Sequence, residues 1–186
     1  GWGMTETSPV AALATPLPGV SDDEHWVLRS TAGRVLPGVE LRLVDDDGTV
    51  LPSDGKAVGE IQIRGPWITG SYYQNADASK FDDGWLRTGD VGRIDPRGYI
   101  TLTDRAKDVI KSGGEWISSV ELELLIMDHP AVLEAAVVAV PDDRWQERPL
   151  AAVVVKSGAS ATPGELRKYL CDKVARFWLP ERWTFL

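Results

Sequence analysis

The chain has 186 residues and a formal net charge of −8, from 20 basic and 28 acidic side chains, with 26% charged and 43% hydrophobic residues, an ordinary balance for a globular chain of one medium domain or two small ones. No apolar run approaches the roughly 20 residues that cross a bilayer, and the single cysteine, Cys171, excludes an intrachain disulfide framework and a cysteine zinc site. The acidic balance argues against broad, phosphate-driven nucleic-acid binding, although a local basic cluster can still hold one nucleotide.

Gly1-Trp2-Gly3-Met4 carries no basic-then-apolar signal segment, and the apolar run Trp183-Thr184-Phe185-Leu186 lacks a closing turn. An exposed strand of that composition is an aggregation hazard, so both ends are read as cuts through a longer protein. Residues 10 to 38 scatter Pro, Gly, Ser and Asp with little periodicity and read as loops. Val39, Leu41 and Leu43 then alternate with Glu40, Arg42 and Val44, a half-buried strand. Asp45 to Gly48 and Gly55 mark turns before a second alternating strand, Glu60 to Arg64. Asn75 to Ala78 reads as the start of a short helix with Asn75 as its cap. Trp85 to Thr88, Val91 to Ile94 and Tyr99 to Thr103 are further strands, the last two joined by a turn at Pro96-Arg97-Gly98. Residues 39 to 103 therefore read as all-β, a small barrel or curled sheet.

The pattern changes after Asp104. Ser119 precedes a helix from Val120 to Met127 with Val120, Leu124 and Met127 on one face, and His129-Pro130 stops it. Val132 to Val140 and Pro149 to Lys156 read as strands covered on both faces. Thr162-Pro163-Gly164-Glu165 has capping-box spacing with Pro at the first helical position, and that helix reads to about Arg176. Residues 182 to 186 make a last strand. Cys171 reads as a small buried or semi-buried residue, and Trp67, Trp145, Trp178 and Trp183 as packing residues. His25 falls in a polar loop and His129 at a helix end, neither with an evident catalytic partner.

Four segments carry residue types suited to chemistry. Gly1 to Pro9 combines glycines and an aromatic with Glu6 and the hydroxyls of Thr5, Thr7 and Ser8. Hard oxygens of this kind suit Mg²⁺ with phosphate, and the same spacing also serves helix capping. Trp85-Leu86-Arg87-Thr88-Gly89-Asp90 reads as a strand ending in Gly-Asp. Its carboxylate can accept from two adjacent ribose hydroxyls, or the pair can be an ordinary turn. Arg105, Lys107 and Lys111 fall on one side of the chain if it is extended there, a cluster able to neutralise phosphate or to form a solvated charged edge. Gly113 and Gly114 permit positive φ, either for close ligand approach or for a tight hairpin.

In order and spacing, the four segments resemble the adenylate-forming superfamily: acyl-CoA synthetases, luciferases and peptide-synthetase adenylation domains. Trp2-Gly3-Met4-Thr5-Glu6 is similar to its aromatic-Gly-x-Thr-Glu motif, Thr88-Gly89-Asp90 to its Thr-Gly-Asp motif, and Gly59 to Gly65 to the strand before it. Asp104 to Glu121 resembles the hinge and first loop of the mobile C-terminal domain. Ile110 to Ser118 is most similar to medium- and long-chain fatty acyl-CoA ligases.

The resemblance implies an α+β architecture. Residues 1–104 would be the β-rich, barrel-like C-terminal part of the large AMP-binding domain. Residues 105–186 would be a small mobile α/β C-terminal domain, truncated at its end. It implies ATP and Mg²⁺, with CoA as co-substrate, and a fatty acid or other small carboxylic acid as the partner to be activated. Trp2 would stack on or flank adenine, where Tyr is usual. Thr5 would contact the AMP phosphate, Glu6 would hold Mg²⁺, Asp90 the ribose hydroxyls, and Arg105 would approach ribose or phosphate. Lys107 would sit at the hinge and Lys111 near the nucleotide or the thioester-forming arrangement. Gly113, Gly114 and Trp116 would line the face presented to pantetheine. The Ser/Thr/Gly-rich phosphate loop, most of the acyl pocket and the late Gly-Lys lysine do not occur in the chain. The isolated polypeptide is therefore expected to lack adenylation activity and to need the N-terminal body of the same enzyme. The resemblance also implies a cytoplasmic ligase, admits a homodimer of the full enzyme, and leaves open an aryl- or short-chain-acid ligase, a carrier-protein adenylation domain or a non-catalytic binding module.

Overall fold

The structure, a computed structural model, describes residues 1–186 except for the side chain of Asn75. It divides into two compact units, Gly1–Ala106 and Lys107–Leu186.

In the first unit, β1 (Trp2–Gly3), β2 (Val10–Leu13) and β3 (Arg34–Val35) make a three-stranded antiparallel sheet. A six-stranded sheet contains β4 (Glu40–Val44), β5 (Val50–Leu51), β6 (Gly59–Arg64), β7 (Phe81–Asp82), β8 (Trp85–Ile94) and β9 (Ile100–Arg105). Its order is β5-β4-β6-β8-β7, with β9 also on β8, and it curls into a half-barrel. Leu43, Ile61, Ile63, Leu86, Ile94 and Ile100 form one buried cluster together with Trp2, Ala11 and Ala12.

The alternation predicted for residues 60–64 is present, but the second face of β6 is buried too. Neighbours cover its polar side chains. Arg87 donates to Glu60 Oε2 (2.9 and 2.7 Å) and Arg42 to Gln62 Oε1 (2.8 and 2.6 Å). Arg42 and Arg64 both lie over the Trp85 ring, at 4.6 and 4.4 Å. Paired polar groups can be buried without the cost of an unsatisfied one.

Three other expectations change. The stretch expected as loops contains helix α1 (Asp22–Arg29), whose cap Ser21 accepts from Glu24 N at 3.3 Å. Its first turn carries Asp22, Asp23 and Glu24 against the positive end of the helix. Only Leu28 is buried while Trp26 and Val27 are exposed, so no apolar stripe announced it, and His25 is helical. Residues 73–80 form two 3₁₀ turns, Tyr73–Asn75 and Ala78–Lys80, rather than a helix starting at Asn75; the capping role of the Asn75 side chain lies outside the described residues. Finally, residues 85–94 are one strand and not two separated by a turn.

The second unit has β10 (Ile110–Ser112), β11 (Glu115–Ile117), β12 (Val132–Asp142), β13 (Gln146–Val155) and β14 (Arg182–Phe185), ordered β11-β10-β13-β12 with β14 parallel on β13. Helices α2 (Ser119–Met127) and α3 (Pro163–Cys171) contribute Leu122, Ile126, Leu166 and Leu170 to a core with Val137, Ala151 and Val153. The buried face of α2 is the Leu122/Ile126 face. Val120 and Leu124, expected inside, are 43% and 60% exposed, whereas Met127 packs against the core. In a helix apolar nearly all round, periodicity cannot choose the face.

For the same reason β12 was read as covered on both faces, yet Leu133 and Val138 are more than half exposed. It is an edge strand, paired to β13. The capping box at α3 forms as spaced: Glu165 N donates to Thr162 Oγ1 (3.3 Å) and Thr162 N to Glu165 Oε2 (2.9 Å). That helix stops at Cys171, short of Arg176, and the cysteine is exposed rather than buried. Trp67, Trp178 and Trp183 are half-buried; Trp145 is exposed. Among the described residues, no helix is long and apolar enough to cross a membrane.

Candidate functional site

In the first unit the site starts where β1 meets β2. A Cβ at Gly3 would collide with the Pro9 backbone, so this close approach requires glycine. The chain then turns through a 3₁₀ helix, Thr5–Thr7. Thr7 is buried, accepts from Met4 N at 2.8 Å and donates to Met4 O at 2.9 Å, so its hydroxyl is spent on holding the turn. Thr5 and Glu6 are left facing outward. Thr5 borders an open cavity of about 460 Å³ with Trp2, Gly3 and Leu13, and a second of about 430 Å³ with Glu6, Trp67 and Tyr72.

Tyr72 donates its hydroxyl to Glu6 Oε1 at 2.6 Å. That bond holds the Glu6 carboxyl below its ordinary range, helped by its own backbone N–H and by Lys80, and opposed by partial burial. It pushes the Tyr72 phenol up to about 12. Sequence reasoning passed over Tyr72, because a phenol in a loop carries no spacing signal.

Asp90 sits at a bulge. Glu60 faces Val91 and Gln62 faces Arg87, so Thr88, Gly89 and Asp90 stand opposite the single residue Ile61. Gly89 has φ +72°, Thr88 donates its hydroxyl to Ile61 O at 2.7 Å, and Asp90 N donates back to Thr88 Oγ1 at 3.1 Å. Bulges re-aim a side chain and bend the strand. The Asp90 side chain is only 7% exposed, and Arg105, its direct partner across β8 and β9, donates to Oδ1 at 2.7 Å. Trp2 is 8% exposed and donates its indole N–H to Asp90 Oδ2 at 2.7 Å. The fold thus brings together Trp2, Asp90 and Arg105.

Mg²⁺ would meet a sparse donor set here. Among the described residues no group of three or more His, Cys, Asp and Glu gathers at one point. Glu6 offers one carboxylate beside the Thr5 hydroxyl, with Oε1 engaged by Tyr72. That suits an ion that takes one or two carboxylates and completes its shell with phosphate and water; an all-protein cage it is not.

In the second unit, Ser112 pairs with Glu115 across a two-residue turn in which Gly113 and Gly114 have φ +63° and +86°. This is the hairpin reading of the Gly pair. Lys111 and Trp116 are cross-strand partners, with Lys111 Nζ 5.2 Å from the Trp116 ring centre. Lys111 N donates to Glu147 Oε2 at 2.8 Å. Residues 106–108 turn, so the extended alternation that put Arg105, Lys107 and Lys111 on one side does not exist. Lys107 is highly exposed, 3.8 Å from Asp108.

Trp145, read as a packing residue, touches the hairpin instead. A Cβ on Gly113 would lie 2.7 Å from Trp145 Cε3, whereas one on Gly114 would meet nothing. Gly113→Ala is therefore expected to lower the melting temperature more than Gly114→Ala, since both pay for positive φ but only the first displaces an indole. Equal melting shifts would refute the contact as the reason for Gly113.

A family model described as AMP-binding enzyme matches residues 1–73, and one described as AMP-binding enzyme C-terminal domain matches residues 121–186. The chain is 49% identical over 192 residues to a long-chain-fatty-acid–CoA ligase of Thermus thermophilus, and 46% identical over 188 residues to a medium-chain-fatty-acid–CoA ligase of Ectopseudomonas oleovorans. Both alignments take in 100% of this chain but only 35% and 34% of those proteins, so it spans about a third of their length. Among solved structures, it superposes on an o-succinylbenzoate CoA synthetase of Bacillus subtilis, in complex with the acyl-adenylate intermediate OSB-AMP, with a TM-score of 0.77, 33% identity, and coverage of 99% of this chain and 36% of that one. With its two ends matched by these two models and its fold shared with such synthetases, the chain belongs to the AMP-binding, adenylate-forming enzymes.

Proposed function

We propose that this chain is the C-terminal third of an ATP-dependent fatty acyl-CoA ligase. In the first step a carboxylate oxygen attacks the α-phosphorus of ATP and pyrophosphate leaves, giving acyl-AMP. In the second the CoA sulfur attacks the acyl carbonyl and AMP leaves, giving the thioester. Residues 1–104 belong to the large nucleotide-binding domain and residues 105–186 to a small mobile domain that pivots at Lys107. The remaining N-terminal body, a cytoplasmic setting and homodimerisation of the full enzyme are parts of the same proposal.

One observation carries the nucleotide reading. The Asp90 carboxylate is nearly buried, it stands at a bulge, and each oxygen already has one donor at 2.7 Å. A carboxylate offers about four acceptor positions, so each oxygen keeps one for the neighbouring hydroxyls of a ribose. Trp2 flanks the base, Thr5 and Arg105 serve phosphate or ribose, and Glu6, oriented by Tyr72, holds Mg²⁺. Bound there, Mg²⁺ would supply positive charge against the phosphates. Lys111 supplies a cation toward the nucleotide or thioester centre, and Gly113, Gly114 and Trp116 present backbone and an aromatic wall to pantetheine. Fatty acids are supported as substrates by two relatives, 49% and 46% identical, whose names are long- and medium-chain-fatty-acid–CoA ligase.

The test is an assay of the full-length enzyme containing this chain, with ATP, Mg²⁺, CoA and a panel of octanoate, palmitate, acetate and o-succinylbenzoate. Thioester formation is expected with the fatty acids ahead of the others. Preference for an aryl or short acid, or acylation of a carrier protein in place of CoA, would overturn the substrate reading.

A further inference from the structure

Trp2 and Asp90 lie 88 residues apart and on different sheets, yet the indole N–H reaches Asp90 Oδ2 at 2.7 Å. The other oxygen is held by Arg105, whose side chain is 56% exposed. A half-solvated guanidinium on a long stem restrains a carboxylate weakly, because it moves with its partner and competes with water. A buried indole has two χ angles and one donor in fixed geometry. Of the two donors, Trp2 is the rigid one.

We infer that Trp2 is a positioning residue for ribose recognition: its indole N–H locks the Asp90 carboxylate in the rotamer that offers one free acceptor position on each oxygen to a cis-diol. This rests on the reading of Asp90 as the ribose acceptor. It goes beyond a stacking role, because any aromatic ring can flank a base but only the indole supplies an N–H at this point. Tyr would present a hydroxyl on a ring of different reach, and Phe no donor at all. The same side chain also walls the cavity beside Thr5. Base and sugar recognition are thereby coupled through one residue.

The experiment compares AMP with 2′,3′-dideoxy-AMP by calorimetry on the full-length enzyme. Wild type should bind AMP more tightly. Trp2→Phe, which leaves a smaller ring beside the base, should weaken both nucleotides by the lost base contact and AMP by about a further 10-fold, the loss expected for a hydrogen bond to a charged group. Asp90→Ala should abolish the preference, and Trp2→Phe added to it should cost AMP no more than it costs the dideoxy compound. Equal losses for both nucleotides in Trp2→Phe, or no loss for either, would overturn the positioning role while leaving the ribose reading intact. A preference for AMP that survives Asp90→Ala would overturn the ribose reading itself. Should Trp2→Phe melt well below wild type, replacement of Trp2 by benzothienylalanine, which keeps the bicyclic shape and lacks only the N–H, gives the same decisive comparison.

Discussion

Asp90→Asn in the full-length enzyme is expected to weaken AMP binding by at least about 100-fold, more than the loss of charge alone requires. Asn matches Asp in shape but has one acceptor oxygen and one donor nitrogen. At this position both oxygens face donors, the Trp2 indole on one side and the Arg105 guanidinium on the other. Whichever way the amide turns, its NH₂ points at a donor. The side chain must then rotate away, and both acceptor positions proposed for ribose go with it. The conservative replacement is therefore expected to be as damaging as Asp90→Ala for nucleotide binding. A loss for Asn of less than about 10-fold would show that the two donors do not fix the carboxylate.

Arg148→Met is expected to give the largest loss of stability in the second unit, about 2 kcal/mol. Arg148 is 5% exposed and its guanidinium ties β13 to the segment before β14. It donates to Ser112 Oγ (3.1 Å), Phe177 O (2.6 Å), Leu179 O (3.4 Å) and Glu181 Oε1 (3.1 Å). Only its Nε lacks an acceptor among the described groups. Met fills much of the same volume, so packing is nearly kept, but carbonyls of Phe177 and Leu179 and the Glu181 carboxylate lose a donor at once. Leu179 is buried, and a buried carbonyl left unpaired costs more than its bond contributed, whereas the half-exposed Glu181 carboxylate can turn to water. Arg148→Lys should recover little, since a single ammonium cannot span four acceptors that a planar fork reaches together. Calorimetric unfolding of the full-length enzyme checks this, with a fall of about 10 °C or more expected for the transition of this unit. A transition unmoved by Arg148→Met would mean that water replaces the guanidinium without penalty.

Local signals were legible wherever a short segment settles its own conformation. The Thr162/Glu165 capping box and the Gly113-Gly114 turn both formed as spaced. Legibility failed where the partner was distant. Val120 and Leu124 look as apolar as Leu122 and Ile126, and only the sheet beneath α2 decides which pair is buried. β12 reads as doubly covered because Val and Ala line both of its faces, but the helices cover one side only. Helix α1 was hidden by exposed Trp26 and Val27, although Ser21 and Glu24 at capping distance could have signalled it. Composition cannot tell the bulge at Asp90 from a turn, since Gly-Asp after a strand reads the same in either case.

By itself, then, the sequence determined the change from β-rich to α/β near residue 104, the capped and turning segments, and the family, because a motif is a fixed order of residue types along the chain. The tertiary structure alone decided that Trp2 donates to Asp90, that Tyr72 orients Glu6 and that Arg148 pins the chain before the last strand. Each of these is a contact between residues far apart in sequence. Such contacts depend on strand register and on which face of each element is buried, and periodicity constrains these only in part.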